Sequence, residues 1–194
     1  GLARGATTPW SIGLEIEFMP LATAGEPVWP AGSEGPDRLD GLDSLVAVRA
    51  CARRHGWVEH AGPYGLAAWQ TPDGGWLTFE PGGQLEYASP VCPDLDALEQ
   101  CTRGVLLRLG EDFARRGLRL LARGLDPRTP LCDTRRVLTA ERYLRQEQHY
   151  DRRGVEGRRM MRQSLALHVN VGIPGLPSDG WWAANALVPA LVAI

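Results

Sequence analysis

The sequence contains no lysine; all 21 of its basic residues are arginine. So uniform a bias reads as GC-rich coding rather than as 21 functional arginines. It still excludes two kinds of chemistry, a lysine Schiff base and a phosphate loop that closes on a lysine. The four cysteines, Cys51, Cys92, Cys101 and Cys132, include no C-x-x-C pair, so neither a zinc ribbon nor a thioredoxin-like motif is signalled. Their scatter fits a reducing, cytoplasmic compartment. No apolar run approaches the roughly 20 residues of a membrane span. A net charge of -2 lacks the basic excess of a nucleic-acid or membrane-surface binder, so neither partner is expected. There is no internal repeat.

What is there is enough for one core: 194 residues, 44% of them hydrophobic, read as a single domain over residues 1–194. The chain has no initiator methionine and ends inside an apolar, helix-patterned run, Leu191-Val192-Ala193-Ile194. Both features lead us to expect the N-terminal part of a longer catalytic domain. Period-2 and period-3.6 segments intermix, which predicts an α+β fold. Residues 11–19 alternate as a strand, and residues 20–38, rich in proline and glycine, form a loop. A helix is expected over Leu42–His55, with Leu42, Leu45, Val46 and Arg49 on one face and Gly56 as its stop. Trp76–Glu80 and Gln84–Ala88 flank Pro81-Gly82-Gly83 as a hairpin. Asp94 caps a long helix that runs to about Arg116. A short strand at Leu118–Leu125, a short helix at Glu141–His149, a strand over residues 162–171 and a final helix from Trp181 complete the expected elements.

Strand alternation decides which side chains meet. With Ile12, Leu14, Ile16 and Phe18 on one face of the first strand, Glu15 and Glu17 lie side by side on the other. A three-residue turn sets Glu80 opposite Gln84 and Thr78 opposite Glu86, so Glu80 and Glu86 share the polar face one diagonal apart, about 7–8 Å between backbones. Residues 162–171 add Arg162, His168 and Asn170 to the polar side of their strand. If the strands share one sheet, four carboxylates and an imidazole converge. Crowded carboxylates repel, and require protons or cations. Oxygen-rich ligation with one imidazole and no thiolate suits Mg²⁺ or Mn²⁺, a platform for nucleotide phosphates. Taken singly, a Glu-x-Glu is the ordinary solvated face of a strand, a lone histidine is a satisfied side chain, and Gly82-Gly83 is a plain turn; the combination is what points to a site.

Three ordered segments, Gly13-Leu-Glu-Ile-Glu-Phe18, Phe79-Glu-Pro-Gly-Gly-Gln-Leu-Glu86 and Met160-Met-Arg-Gln-Ser-Leu-Ala-Leu-His-Val-Asn170, resemble motifs of the plant and proteobacterial type of glutamate-cysteine ligase. That family includes the enzyme that opens ergothioneine biosynthesis in actinobacteria. Arg142-Tyr143 and the helix from Asn185 to Ile194 add supporting matches. The resemblance implies a glutamine-synthetase-like antiparallel sheet with helices packed on one face, incomplete here. It also implies ATP-dependent joining of the glutamate γ-carboxyl to the amine of cysteine through an acyl phosphate. Carried over residue by residue, it makes Glu15, Glu17, Glu80, Glu86 and His168 ligands of the magnesium ions that bridge ATP. Arg162 is then a candidate for binding phosphate or substrate carboxylate, and Gln84 and Asn170 are candidate hydrogen-bonders to substrate or nucleotide. Two positions depart from the family pattern: plant members usually carry glutamine at His168, and the arginine after Met-Met falls one place later, at Gln163.

The expectation is therefore a glutamate-cysteine ligase using Mg²⁺ or Mn²⁺, ATP, glutamate and cysteine, serving glutathione or ergothioneine synthesis, with residues 1–194 inactive alone. Its rivals are a carboxylate-amine ligase with another acceptor amine and a catalytically silent metal- or nucleotide-binding homologue.

Overall fold

The computed structural model describes residues 10–30, 42–62, 64–172 and 177–192. Strand β1 (Ser11–Ala22) leads to helix α1 (Ser44–His55), then to β2 (Val58–Ala61), β3 (Ala67–Gln70), β4 (Trp76–Phe79) and β5 (Leu85–Ala88). Helix α2 (Leu95–Ala114), β6 (Leu118–Leu121), α3 (Glu141–Asp151), α4 (Glu156–Gln163), β7 (Leu167–Gly172) and α5 (Pro177–Val192) follow. The seven strands form one antiparallel sheet in the order β2-β3-β4-β5-β1-β6, with β7 also paired to β1, so the fold is α+β.

Strand β1 is the spine of the sheet. Its even-numbered residues bond towards β5, as in Ser89 N to Leu14 O at 2.8 Å, and its odd-numbered residues bond towards β7, as in Glu17 N to Ala166 O at 3.0 Å. Beyond Phe18 the odd edge passes to β6, which pairs with Met19–Ala22. On one face of the sheet Leu77, Phe79, Leu85, Tyr87 and Trp69 pack with Leu45, Val48, Cys51 and Ala52 of α1 and Val105, Leu109 and Phe113 of α2. Each large side chain so buried contributes on the order of 1.5–3 kcal/mol. Helices α1 and α2 thus close one face, and the opposite face keeps the polar residues.

Helix α1 starts where Asp43 accepts from Leu45 N at 2.9 Å and Val46 N at 3.2 Å, and stops at Gly56, whose φ of 71° puts it in the left-handed region. Its buried stripe is Leu45, Ala47, Val48, Cys51 and Ala52; Val46 is exposed, so the expected apolar face is rotated. Small residues, not only large apolar ones, face the sheet. The loop expected from residue 20 begins later, because Pro20, Leu21 and Ala22 continue β1; residues 31–41 lie outside the described residues. Strands β2 and β3 had no sequence signal, β2 being exposed throughout. The expected strand over 162–171 divides into the end of α4 and the shorter strand β7.

Candidate functional site

The polar face is assembled by register. Glu17 stands directly opposite Glu86 on β5, Glu86 opposite Thr78 on β4, and Glu15 opposite His168 on β7, with Gly13 opposite Asn170. Because Glu17 bonds its backbone to the other edge, Glu17 and Glu86 form the narrow, non-hydrogen-bonded kind of pair, with side chains about 4.5–5.5 Å apart at Cβ. Glu80 is delivered by the hairpin turn: Glu80 N bonds Gln84 O at 2.8 Å and Gly83 N bonds Glu80 O at 2.9 Å. This three-residue loop closes on Gly83 with a φ of 86°, a left-handed position glycine fills without strain.

The electrostatics report the convergence. Burial first, then the charges of Glu86 and Glu17, push the Glu80 carboxyl up to about 8, while Arg142 acts in the opposite sense. Glu86 is also raised, by burial and then by Glu15 and Glu17, with His168 opposing. The four glutamates and His168 therefore share one field, as the alternation predicts. Glu15 is held from β7, by His168 Nδ1 at 3.2 Å and Asn170 Nδ2 at 3.3 Å, and Glu17 accepts Ala166 N at 2.8 Å. With Nδ1 donating to Glu15, the Nε2 of His168 is the free nitrogen, the arrangement that orients an imidazole ligand.

The donor set is rich in carboxylate oxygen and carries excess negative charge, so it fits a hard divalent cation. A second cluster does not. Cys51, His55 and Asp112 bring ligand atoms within 4.8 Å of one another, closer than any three donors on the sheet face among the described residues. Asp112, however, already meets Arg115 at 2.5 Å and Arg54 at 3.6 Å, and burial pushes the Cys51 thiol up to about 12. That cluster is a charge-balanced tie between α1 and α2. The sheet-face carboxylates stand farther apart, as uncompensated like charges do.

Two expected site residues are placed differently. Arg162 lies on helix α4, not on a strand face beside His168; its guanidinium, largely buried, pairs with Glu147 and donates to Thr134 O at 3.0 Å. Gln84 is 2% exposed and its amide is fully used: Oε1 accepts Gly82 N at 2.9 Å, and Nε2 donates to Ser164 O at 3.0 Å and Met161 O at 3.5 Å. No atom of Gln84 is left for a ligand. It fastens the turn that carries Glu80 to the end of α4. Gly82 completes that contact, since a Cβ there would lie 2.5 Å from both the Cα and the carbonyl oxygen of Arg162. Asn170 keeps its place on the polar face, spent on Glu15.

A residue not foreseen as part of the site is Arg142, in the first turn of α3. It lines a cavity of about 190 Å3 together with Thr78, Glu80, Glu86, Tyr64 and Tyr143. Its adjacency to Tyr143 was the visible signal, but nothing in the sequence ties residue 142 to residue 80.

The sequence profile of glutamate-cysteine ligase family 2 matches residues 11–194, from the first strand to the last helix. The chain belongs to this family. The chain is also similar to the glutamate-cysteine ligase EgtA of Mycolicibacterium smegmatis, 35% identical over 129 residues, which is 63% of this chain and 29% of EgtA. The match thus spans less than a third of that relative's length. Among the described residues no helix is long and apolar enough to cross a membrane.

Proposed function

We propose that the protein to which this chain belongs is an ATP-dependent carboxylate-amine ligase that joins the γ-carboxyl of glutamate to the amine of cysteine. The observation that carries this reading is the meeting of Glu15, Glu17, Glu80, Glu86 and His168 on one sheet face, with Glu80 and Glu86 both raised, in a chain of the glutamate-cysteine ligase family. The chemistry runs in two balanced steps. A γ-carboxylate oxygen attacks the terminal phosphorus of ATP and ADP leaves, giving an acyl phosphate. The amine then attacks the acyl carbon, phosphate departs with the C–O bond electrons, and the nitrogen loses a proton.

Glu15, Glu17, Glu80, Glu86 and His168 would hold magnesium, which when bound offsets charge on the transferring phosphoryl group. The protein's own part is positioning. His168 and Asn170 aim the Glu15 carboxylate, Ala166 N fixes Glu17, and Gln84 locks the turn that presents Glu80. The helix layer behind β5 makes that face rigid, so the carboxylates keep their separation without a reorganisation cost at each turnover.

The test is phosphate release by the full-length protein with Mg-ATP and glutamate, comparing cysteine with a panel of other amines. Release specific to cysteine supports the reading. Release with another amine moves the acceptor, and nucleotide binding with no release under any condition removes the ligase reading. In an active protein, Glu86→Gln should lower Mg²⁺-dependent turnover by about 10²-fold or more with the fold retained; unchanged turnover would sink the metal assignment.

A further inference from the structure

Of the four carboxylates on the polar face, three are placed by the sheet itself. Glu15 and Glu17 sit on β1 and Glu86 on β5, in pairs that the ladder fixes. Glu80 is different. It lies one residue past the last ladder pair of its hairpin, Phe79 opposite Leu85, and beyond Phe18 strand β1 leaves β5 for β6. Its distance from Glu15 and Glu17 is therefore set by whatever holds the turn.

Gln84 ties that turn to the end of α4, and Trp29 holds it from elsewhere in the chain. The indole Nε1 of Trp29 donates to Gly82 O at 3.1 Å, and a Cβ on Gly83 would lie 2.7 Å from Trp29 Cδ1, so the ring rests against the turn where glycine leaves room. Trp29 belongs to the segment that folds back along the end of β1: Ala22 N donates to Glu26 O at 2.8 Å, Val28 N donates to Pro20 O at 2.8 Å, and Pro27 stands opposite Leu21. The indole is held in its turn by Arg135, whose Cζ lies 4.4 Å from the ring centre. Two residues on, Val137 N donates to Pro81 O at 2.6 Å. Two successive carbonyls of the turn, those of Pro81 and Gly82, are thus gripped from outside the hairpin. A three-residue turn bound in this way cannot shift Glu80 without breaking one of these bonds.

We propose that Trp29 is a positioning residue for the cation site: its indole N–H ties the continuation of β1, the strand that carries Glu15 and Glu17, to the turn that carries Glu80, and so sets the gap a divalent cation must span. Magnesium demands near-octahedral oxygen ligands at about 2.0–2.1 Å, so a turn that drifts by a fraction of an ångström weakens binding. The inference rests on the metal half of the proposed function, a divalent cation on the carboxylate face, and is independent of the acceptor amine.

The experiment titrates the nucleotide-free, full-length protein with Mn²⁺, following the electron paramagnetic resonance signal of the free ion. It compares wild type, Trp29→Phe, Glu80→Gln and the double variant, with thermal unfolding to check that each folds. Trp29→Phe keeps a ring under Arg135 and removes the donor to Gly82 O; the Kd of the tightest site should rise about tenfold. In the Glu80→Gln background the same change should move Kd less than about twofold, because the ligand that Trp29 places is already gone. A merely structural role would weaken binding alike in both backgrounds. Trp29→His, which offers a ring N–H on a smaller ring, should fall between wild type and Trp29→Phe, and it carries the test if Trp29→Phe does not fold. Equal weakening in the two backgrounds, a change of less than about threefold in Trp29→Phe alone, or no Mn²⁺ binding by wild type overturns the proposal. Phosphate release with glutamate and cysteine separates the two readings. A wild type that passes the double-variant test without turnover keeps the role of Trp29 and loses the ligase; an active ligase whose Mn²⁺ affinity ignores Trp29→Phe does the reverse.

Discussion

The sharpest consequence of the carboxylate face concerns stability against pH, and Glu80→Gln isolates it. The ordinary carboxyl value of 4.5 is pushed to about 8 at Glu80, so between these values the folded chain binds a proton that the unfolded chain releases. Stability therefore falls as pH rises through this window, and the loss is complete above about 8. A shift of that size corresponds to roughly 5 kcal/mol at about 1.4 kcal/mol per unit. Glu80 is only partly shielded from water, which reduces the expected loss to about 2–3 kcal/mol. Magnesium acts in the opposite direction. It displaces the proton, so it binds more tightly at high pH and restores stability by mass action. The assay is urea unfolding at pH 5.5 and pH 8.5, with chelator and with Mg²⁺, for wild type and Glu80→Gln. Wild type in chelator should lose about 1.5–2 kcal/mol between the two pH values, since about a third of the full loss already lies below pH 5.5, and Glu80→Gln should lose less than about 1 kcal/mol. Mg²⁺ should raise the wild-type midpoint more at pH 8.5 than at pH 5.5. An identical pH slope in wild type and variant would refute the idea that Glu80 carries the uncompensated charge.

Three further outcomes test the supports of the site. Gly82→Ala drives a methyl into the Arg162 backbone, which cannot yield as a side chain could; we expect a loss of about 3 kcal/mol, a Tm drop of roughly 6–12 °C, and a drop under 2 °C would contradict the contact. Gln84→Glu replaces two buried donors with a carboxylate aimed at the carbonyls of Ser164 and Met161, so urea unfolding should show a loss of about 3 kcal/mol or more at neutral pH; a neutral effect would reopen Gln84 as a ligand-binding group. His168→Gln retains a donor for Glu15 and should keep kcat/KM of the full-length enzyme within about tenfold, while His168→Ala should lose about 10²-fold. Equal losses in the two variants would mean that the imidazole acts as more than an orienting or exchangeable ligand.

Much of this site was legible because strand geometry is local. Alternation alone sends Glu15 and Glu17 to one face, and the length of the Pro81-Gly82-Gly83 turn alone sets Thr78 opposite Glu86. The family motifs then put the strands in one sheet. What failed was what depends on distant packing. Residues 156–163 form a helix because the segment docks through Met161 onto Leu138 and Tyr143, a contact with no trace in local periodicity, so Arg162 was assigned to a strand it does not join. Gln84 looks free on paper because its alternation partner is Glu86. It is buried because α4 folds over the turn from some 80 residues away. Arg142, noted in the sequence only as part of a motif match, was not tied to the site for the same reason, since its meeting with Glu80 is tertiary.

The same comparison separates a functional face from an ordinary solvated one. This chain has 21 arginines, and where a carboxylate is structural it uses them: Glu147 is held by Arg136, Arg158 and Arg162, and Asp112 by Arg54 and Arg115. Among the described residues no arginine comes within 4 Å of Glu15, Glu17, Glu80 or Glu86; the ion pair formed there is Glu15 with His168. Like charges set directly opposite, as Glu17 and Glu86 are, destabilise a sheet, and an arginine on the facing strand would have relieved them. Folding alone gives no reason to keep four carboxylates together without one arginine among them when the remedy is so abundant in the sequence. A cation supplied from solution does, and that is why the carboxylate face, rather than the tighter Cys51–His55–Asp112 cluster, is the place to look for bound metal.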